Sequence, residues 1–209
     1  MADLQDHLKD LTEIRSIMER STKFISLSGL SGVSAGIVAL FGAWITWQYL
    51  SDIGLMGELK NSAYMEVGVQ PLFTLLGLAV LILIAASGAA TFFSLRMARK
   101  RNLPTWNSTA KRLMISLLVP LSVGGAFCVL LAWHGYGAIV ASATLVFYGL
   151  ALLNASKYTF KEIRYLGLSE IVLGLIGGIF LKYGLIIWAI GFGVLHIFYG
   201  IVMYLKYER

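Results

Sequence analysis

The chain has 209 residues, of which 58% are hydrophobic and 13% charged, with a formal net charge of +6. A soluble domain carries nearer a quarter charged residues, and several apolar runs exceed 18 residues, so the pattern excludes a soluble globular domain and calls for transmembrane helices. The positive charge sits in the connections between apolar runs, where it orients a membrane protein; it is not a nucleic-acid footprint.

Residues 1–23 mix five acidic and four basic side chains. Leu4, Leu8, Leu11, Ile14 and Met18 recur at three- and four-residue spacing, which predicts an amphipathic helix with one apolar stripe. Such a helix suits the membrane surface or a cytoplasmic partner protein bound through residues 4–18. A solvated helix continuing out of the first span has the same pattern. The mixed charge and the long apolar run that follows do not fit a signal peptide.

The first span is expected over 24–50. Ser28, Gly32 and Gly36 share a face on which another helix can come close, and Trp44, Trp47 and Tyr49 gather at the far end as interfacial aromatics. The connection 51–70 holds Asp52, Glu58 and Glu66 against Lys60. The second span is expected over 71–95, with Pro71 in its first turn and a small-residue patch at Ser87, Gly88, Ala89 and Ala90. Arg96, Arg99, Lys100, Arg101, Lys111 and Arg112 follow with no acid among them. That cluster marks the cytoplasmic side and is the candidate site for anionic lipid headgroups.

The third span, 113–133, contains Pro120, which frees a carbonyl and favours a kink. A short turn through His134 leads to the fourth span, 138–156. Lys157, Lys161, Glu162 and Arg164 precede the fifth span, 163–181. A turn at Leu181–Gly184 leads to the sixth, 184–205. The expected fold is therefore all-α: six spans in three hairpins plus the N-terminal helix. Four Lys/Arg lie in 1–23, six in the second connection, three after the fourth span and two at the C-terminus; only Lys60 and Lys182 fall on the other side. This bias places both termini in the cytoplasm.

The motifs of metalloproteases, serine hydrolases and phosphate-binding loops are absent, and the three histidines lack metal-ligand spacing. Cys128 is the single cysteine, so no intrachain disulfide forms. No catalytic residue, cofactor or metal is indicated. What remains is polar and inside the last hairpin. Gly167, Glu170, Gly174, Gly177 and Gly178 share a face of the fifth span, and Ala189, Gly193, His196, Tyr199 and Gly200 share a face of the sixth. Glu170 and His196 lie at matching depth, so the two are expected within hydrogen-bond reach, with Tyr199 beside them as ligand- or proton-binding candidates. An ionisable side chain at such depth is a functional hypothesis; a pair that merely locks two helices together is the structural alternative.

The stretches Ile17–Ser21, Phe24–Gly32, Lys157–Leu168 and Trp188–His196 resemble an uncharacterised family of small bacterial six-span integral membrane proteins. The resemblance implies the bacterial inner membrane and no particular activity. Two functional readings follow from the residues. One is a non-enzymatic regulatory module that binds a partner or lipid, with small-residue faces that also suit a homo-oligomer. The other is a small-solute or proton-coupled transporter centred on Glu170 and His196.

Overall fold

The computed structural model describes residues 28–55, 69–102 and 106–209. The stretch 1–23, where an amphipathic helix with a partner-binding stripe is expected, lies outside the described residues. The described residues are helical: α1 (Gly29–Asp52), α2 (Val69–Lys100), α3 (Ser108–Trp133), α4 (Gly137–Ala155) and α5 (Lys161–Ile179), followed by α6 (Gly184–Trp188), a π-helical stretch (Ala189–Leu195) and α7 (His196–Tyr207). The last three run on as one rod. Short 3₁₀ turns precede α5 (Ser156–Tyr158) and α6 (Leu181–Tyr183).

Side chains start two of these helices in the usual way. The Asn107 carbonyl oxygen accepts from Ala110 N at 2.7 Å ahead of α3, and Ser28 Oγ accepts from Leu30 N at 3.2 Å ahead of α1. Pro71 falls in the first turn of α2, and Pro120 lies inside α3. Among the described residues, five segments are long and apolar enough to cross a membrane: Gly29–Asp52, Gln70–Lys100, Ser108–Trp133, Gly137–Tyr158 and Leu181–Tyr207. α5 is as long as α4, at 19 residues, but carries Lys161, Glu162, Arg164 and Glu170, and so stands apart from the five in charge.

Packing is ordered laterally. α2 packs on α1, α1 on the rod, α5 lies against α4 and the rod, and α4 packs on α3. The expected face-to-face meeting of the last two small-residue stripes is not what forms. A Cβ on Gly149 would lie 2.5 Å from the Gly167 carbonyl, and one on Gly174 would lie 2.9 Å from the Ser142 carbonyl, so the α5 glycines close on α4. Gly178, grouped with them in the sequence, faces open space. On the rod, Gly193 and Gly200 turn to α1, where a Cβ on Gly32 would lie 3.1 Å from Gly200 Cα. The reason is helical phase. Gly193, Ile197, Gly200 and Tyr204 form one stripe, and Phe192, His196, Tyr199 and Met203 form another one residue behind, about 100° away around the axis. The first meets α1; His196, on the second, turns to α4 and α5.

The chain's end ties several helices together. The Glu208 carboxylate accepts from the Gly29 N–H and from Ser28 Oγ, so it caps the start of α1. The Arg101 guanidinium donates to the Tyr207 carbonyl. Lys206 Nζ donates to Glu162 Oε1 at 2.5 Å, and the Tyr207 hydroxyl donates to the same carboxylate at 3.0 Å. Burial raises the Glu162 carboxyl, but the bonds from Lys206, its own backbone and Tyr207 outweigh that and hold it below the usual carboxylate range. A carboxyl depressed in the fold stabilises the protein above its unfolded pKa, and that contribution fades as pH falls through the folded value. Glu162→Gln is therefore expected to lower the thermal unfolding temperature at neutral pH. The gap to wild type should close as pH falls below the ordinary carboxylate range. A gap of constant size over that fall would show that the carboxylate bonds do not set it.

Candidate functional site

Glu170 lies nine residues from each end of α5, and its side chain is wholly buried. His196 opens α7 immediately after the π stretch and is 6% exposed. Their closest polar atoms, Glu170 Oε1 and His196 Nδ1, are 3.3 Å apart. The approach depends on Gly191. A Cβ there would stand 2.5 Å from Glu170 Oε2 and 2.5 Å from Leu145 Cδ2, so only a glycine leaves room for the carboxyl against the rod. Gly191 belongs to the π-helical Ala189–Leu195, a wide turn of a kind that is rare, occurs mostly as single-turn bulges inside α-helices and is frequent at functional sites.

The imidazole is held at both nitrogens. Nδ1 is 3.1 Å from the Gly191 carbonyl oxygen, and Nε2 is 2.8 Å from the Tyr148 hydroxyl. A carbonyl only accepts, so Nδ1 carries the hydrogen. In the neutral ring Nε2 then accepts from Tyr148 O–H. In the imidazolium Nε2–H would donate to the same oxygen. Tyr148 and His196 rings lie 5.4 Å apart, Phe192 stacks on His196 at 5.9 Å, and Trp188 lies 4.9 Å from Phe192. Trp188 Nε1 donates to Thr144 Oγ1 at 3.1 Å. The ring is thus clamped by aromatic faces from α4 and the rod.

Glu170 is treated differently. The Nδ1–H is aimed at Gly191, and neither carboxyl oxygen has a hydrogen bond among the described residues, despite the 3.3 Å separation. Buried polar atoms are nearly always bonded. Two arrangements leave no lone charge: a protonated Glu170 beside neutral His196, and a carboxylate beside an imidazolium. They differ in where one proton sits, on the carboxyl in the first and on Nε2 in the second, since Nδ1 keeps its hydrogen in both.

The other sequence candidates are elsewhere. Tyr199 packs against the cluster of Leu152, Phe160, Ile163, Leu166 and Met203, edge-on to Phe198, and is not brought to the pair. Arg96, Arg99, Lys100, Arg101, Lys111 and Arg112 are exposed at the adjoining ends of α2 and α3. Two contributors to the site had not been singled out from sequence. Tyr148 lies in the middle of an apolar span, far from the interfaces where tyrosines gather, and that position is the signal it offers. Gly191 is one glycine among 22 and gives none.

Tyr148→Phe removes the hydroxyl that serves Nε2 and should cost about 1–3 kcal/mol of unfolding free energy. Tyr199→Phe deletes a hydroxyl with no hydrogen bond among the described residues and should leave stability unchanged. Chemical denaturation of both variants in the same detergent compares them; equal losses would contradict the assignment. The chain matches no protein-family model, no curated protein and no solved structure, so its chemistry rests on these side chains alone.

Proposed function

We propose that this is a six-span integral membrane protein with both termini cytoplasmic, as in the bacterial inner-membrane family it resembles, and that it is a small proton-coupled transporter whose proton sits on the Glu170–His196 pair. Five long apolar segments support membrane insertion. α5 supplies the sixth span: its 19 residues extend about 28 Å, close to the hydrocarbon thickness of a bilayer. Its charges Lys161, Glu162 and Arg164 cluster at one end, where they reach the interface. The distribution of Lys and Arg supports the orientation.

The observation that carries the functional reading is the unbonded Glu170 carboxyl, buried at the middle of its span beside an imidazole. A pair serving only to lock helices would satisfy its own oxygens. Leaving two acceptor sites open at mid-membrane is costly, and it keeps the carboxyl ready to take and release a proton. Of the two readings the sequence left open, this favours the transporter. A lipid-binding role accompanies it: the exposed basic cluster stands at the end of α2, a helix whose apolar segment buries almost nothing within the protein, which suits anionic headgroups beside lipid-facing apolar surface.

Reconstituted vesicles enclosing a pH-sensitive dye test the proposal. Under an imposed proton gradient the wild type should move protons faster than empty vesicles, and Glu170→Gln, folded normally, should not. Flux in the variant equal to wild type would remove Glu170 from the mechanism.

A further inference from the structure

Ser142, on α4, is 3% exposed, and its Oγ has no hydrogen bond among the described residues. Hydroxyls inside helices ordinarily bond back to the preceding turn. Ser34 does so to the Ser31 carbonyl at 3.0 Å, Thr46 to Gly42 at 2.9 Å, Thr74 to Gln70 at 3.0 Å and Thr144 to Ala141 at 2.7 Å. Ser142 makes no such bond. Its Oγ points across to α5, where a Cβ on Gly177 would lie 2.7 Å from it.

The surroundings are small. Gly184 starts α6 here, and a Cβ added to it would meet nothing nearer than the Ala138 carbonyl at 3.5 Å and Ala141 Cβ at 3.9 Å. One turn further in, Leu145 and Glu170 Oε2 border Gly191. The seam between α4, α5 and the rod therefore runs from the Leu181–Tyr183 turn, past Ser142, to Glu170. Two buried, unbonded polar groups stand along it. In the other direction from Glu170, Leu152, Ile163, Leu166 and Met203 pack as a tight apolar cluster.

We propose that this seam holds a file of water that carries protons between the Lys182 end of the bundle and Glu170, with the Ser142 hydroxyl as its relay. The proposal rests on the proton-binding reading of Glu170 and names the side from which that group is reached. A hydroxyl accepts and donates at once. It can take a proton from a water on one side while its own proton leaves to a water on the other, and the reverse rotation restores it; no net charge stays on Ser142. The hydroxyl and the carboxyl provide the polar partners that such waters need. The apolar cluster beyond Glu170 makes access one-sided.

Cysteine accessibility tests this in lipid nanodiscs, where both membrane faces are open to reagent. In a Cys128→Ser background, Ser142→Cys, Lys182→Cys and Val172→Cys are treated with a charged, membrane-impermeant thiol reagent. Val172 lies on the outer face of α5, 55% exposed within the protein and facing lipid in this reading. A water-filled seam predicts that Ser142→Cys reacts at least about tenfold faster than Val172→Cys, because only a hydrated thiol ionises and reacts. Adding Gly177→Ala, whose methyl would press on position 142, should suppress that labelling without affecting Lys182→Cys. Reaction of Ser142→Cys no faster than Val172→Cys overturns the proposal, as does labelling indifferent to Gly177→Ala. If the seam labels as expected but wild-type vesicles move no protons, the hydrated seam stands and the transport reading falls.

Discussion

Burying the Glu170 carboxyl costs several kcal/mol if it is charged and unpaired, and its surroundings are built to bring one counter-group within reach. Gly191 gives up its side chain so that the carboxyl can lie against the rod. The π-helical stretch ends where His196 begins, and the His196 ring is fixed by the Gly191 carbonyl and the Tyr148 hydroxyl. The imidazole is fully occupied while the carboxyl beside it is not. That asymmetry supports the proposed proton-binding role of the pair.

Close helix contact makes the site possible. In a bilayer, apolar side chains gain little by leaving lipid, so helices associate through packing at small residues. Gly149, Gly167 and Gly174 let α4 and α5 meet backbone to backbone, and Gly29, Gly32, Gly36 and Gly200 do the same for α1 and the rod. The rod is thereby held between two sides. Its α1 face is glycine-lined and its other face carries Phe192, His196 and Tyr199. The C-terminal residues add polar ties at the basic end, with Glu208 on the start of α1 and Tyr207 and Lys206 on Glu162. α2 lies outside this arrangement, against α1.

Much of this was legible in the sequence. Run lengths located the apolar helices to within a few residues, because hydrophobic length is a local property. Glu170 and His196 stood out because ionisable residues inside apolar runs are rare and costly. Partner choice among helices was not legible. Stripes one residue apart on the rod look alike in sequence, and which of them meets α1 depends on where α1 lies. The unbonded state of Ser142 was hidden for a related reason: a serine in an apolar helix reads as a small packing residue until its neighbour across the seam is known. Glu208 reads as a solvated tail because the helix start it caps lies 179 residues away.

The central claim is that Glu170 takes up and releases a proton while buried. Infrared difference spectroscopy on the protein in lipid, recorded across a pH step, measures this directly through the carboxyl carbonyl band. The account predicts a band from a protonated acid in an apolar setting that is exchanged for carboxylate absorption as pH rises, and that is missing in Glu170→Gln. A difference spectrum left unchanged by Glu170→Gln would contradict it.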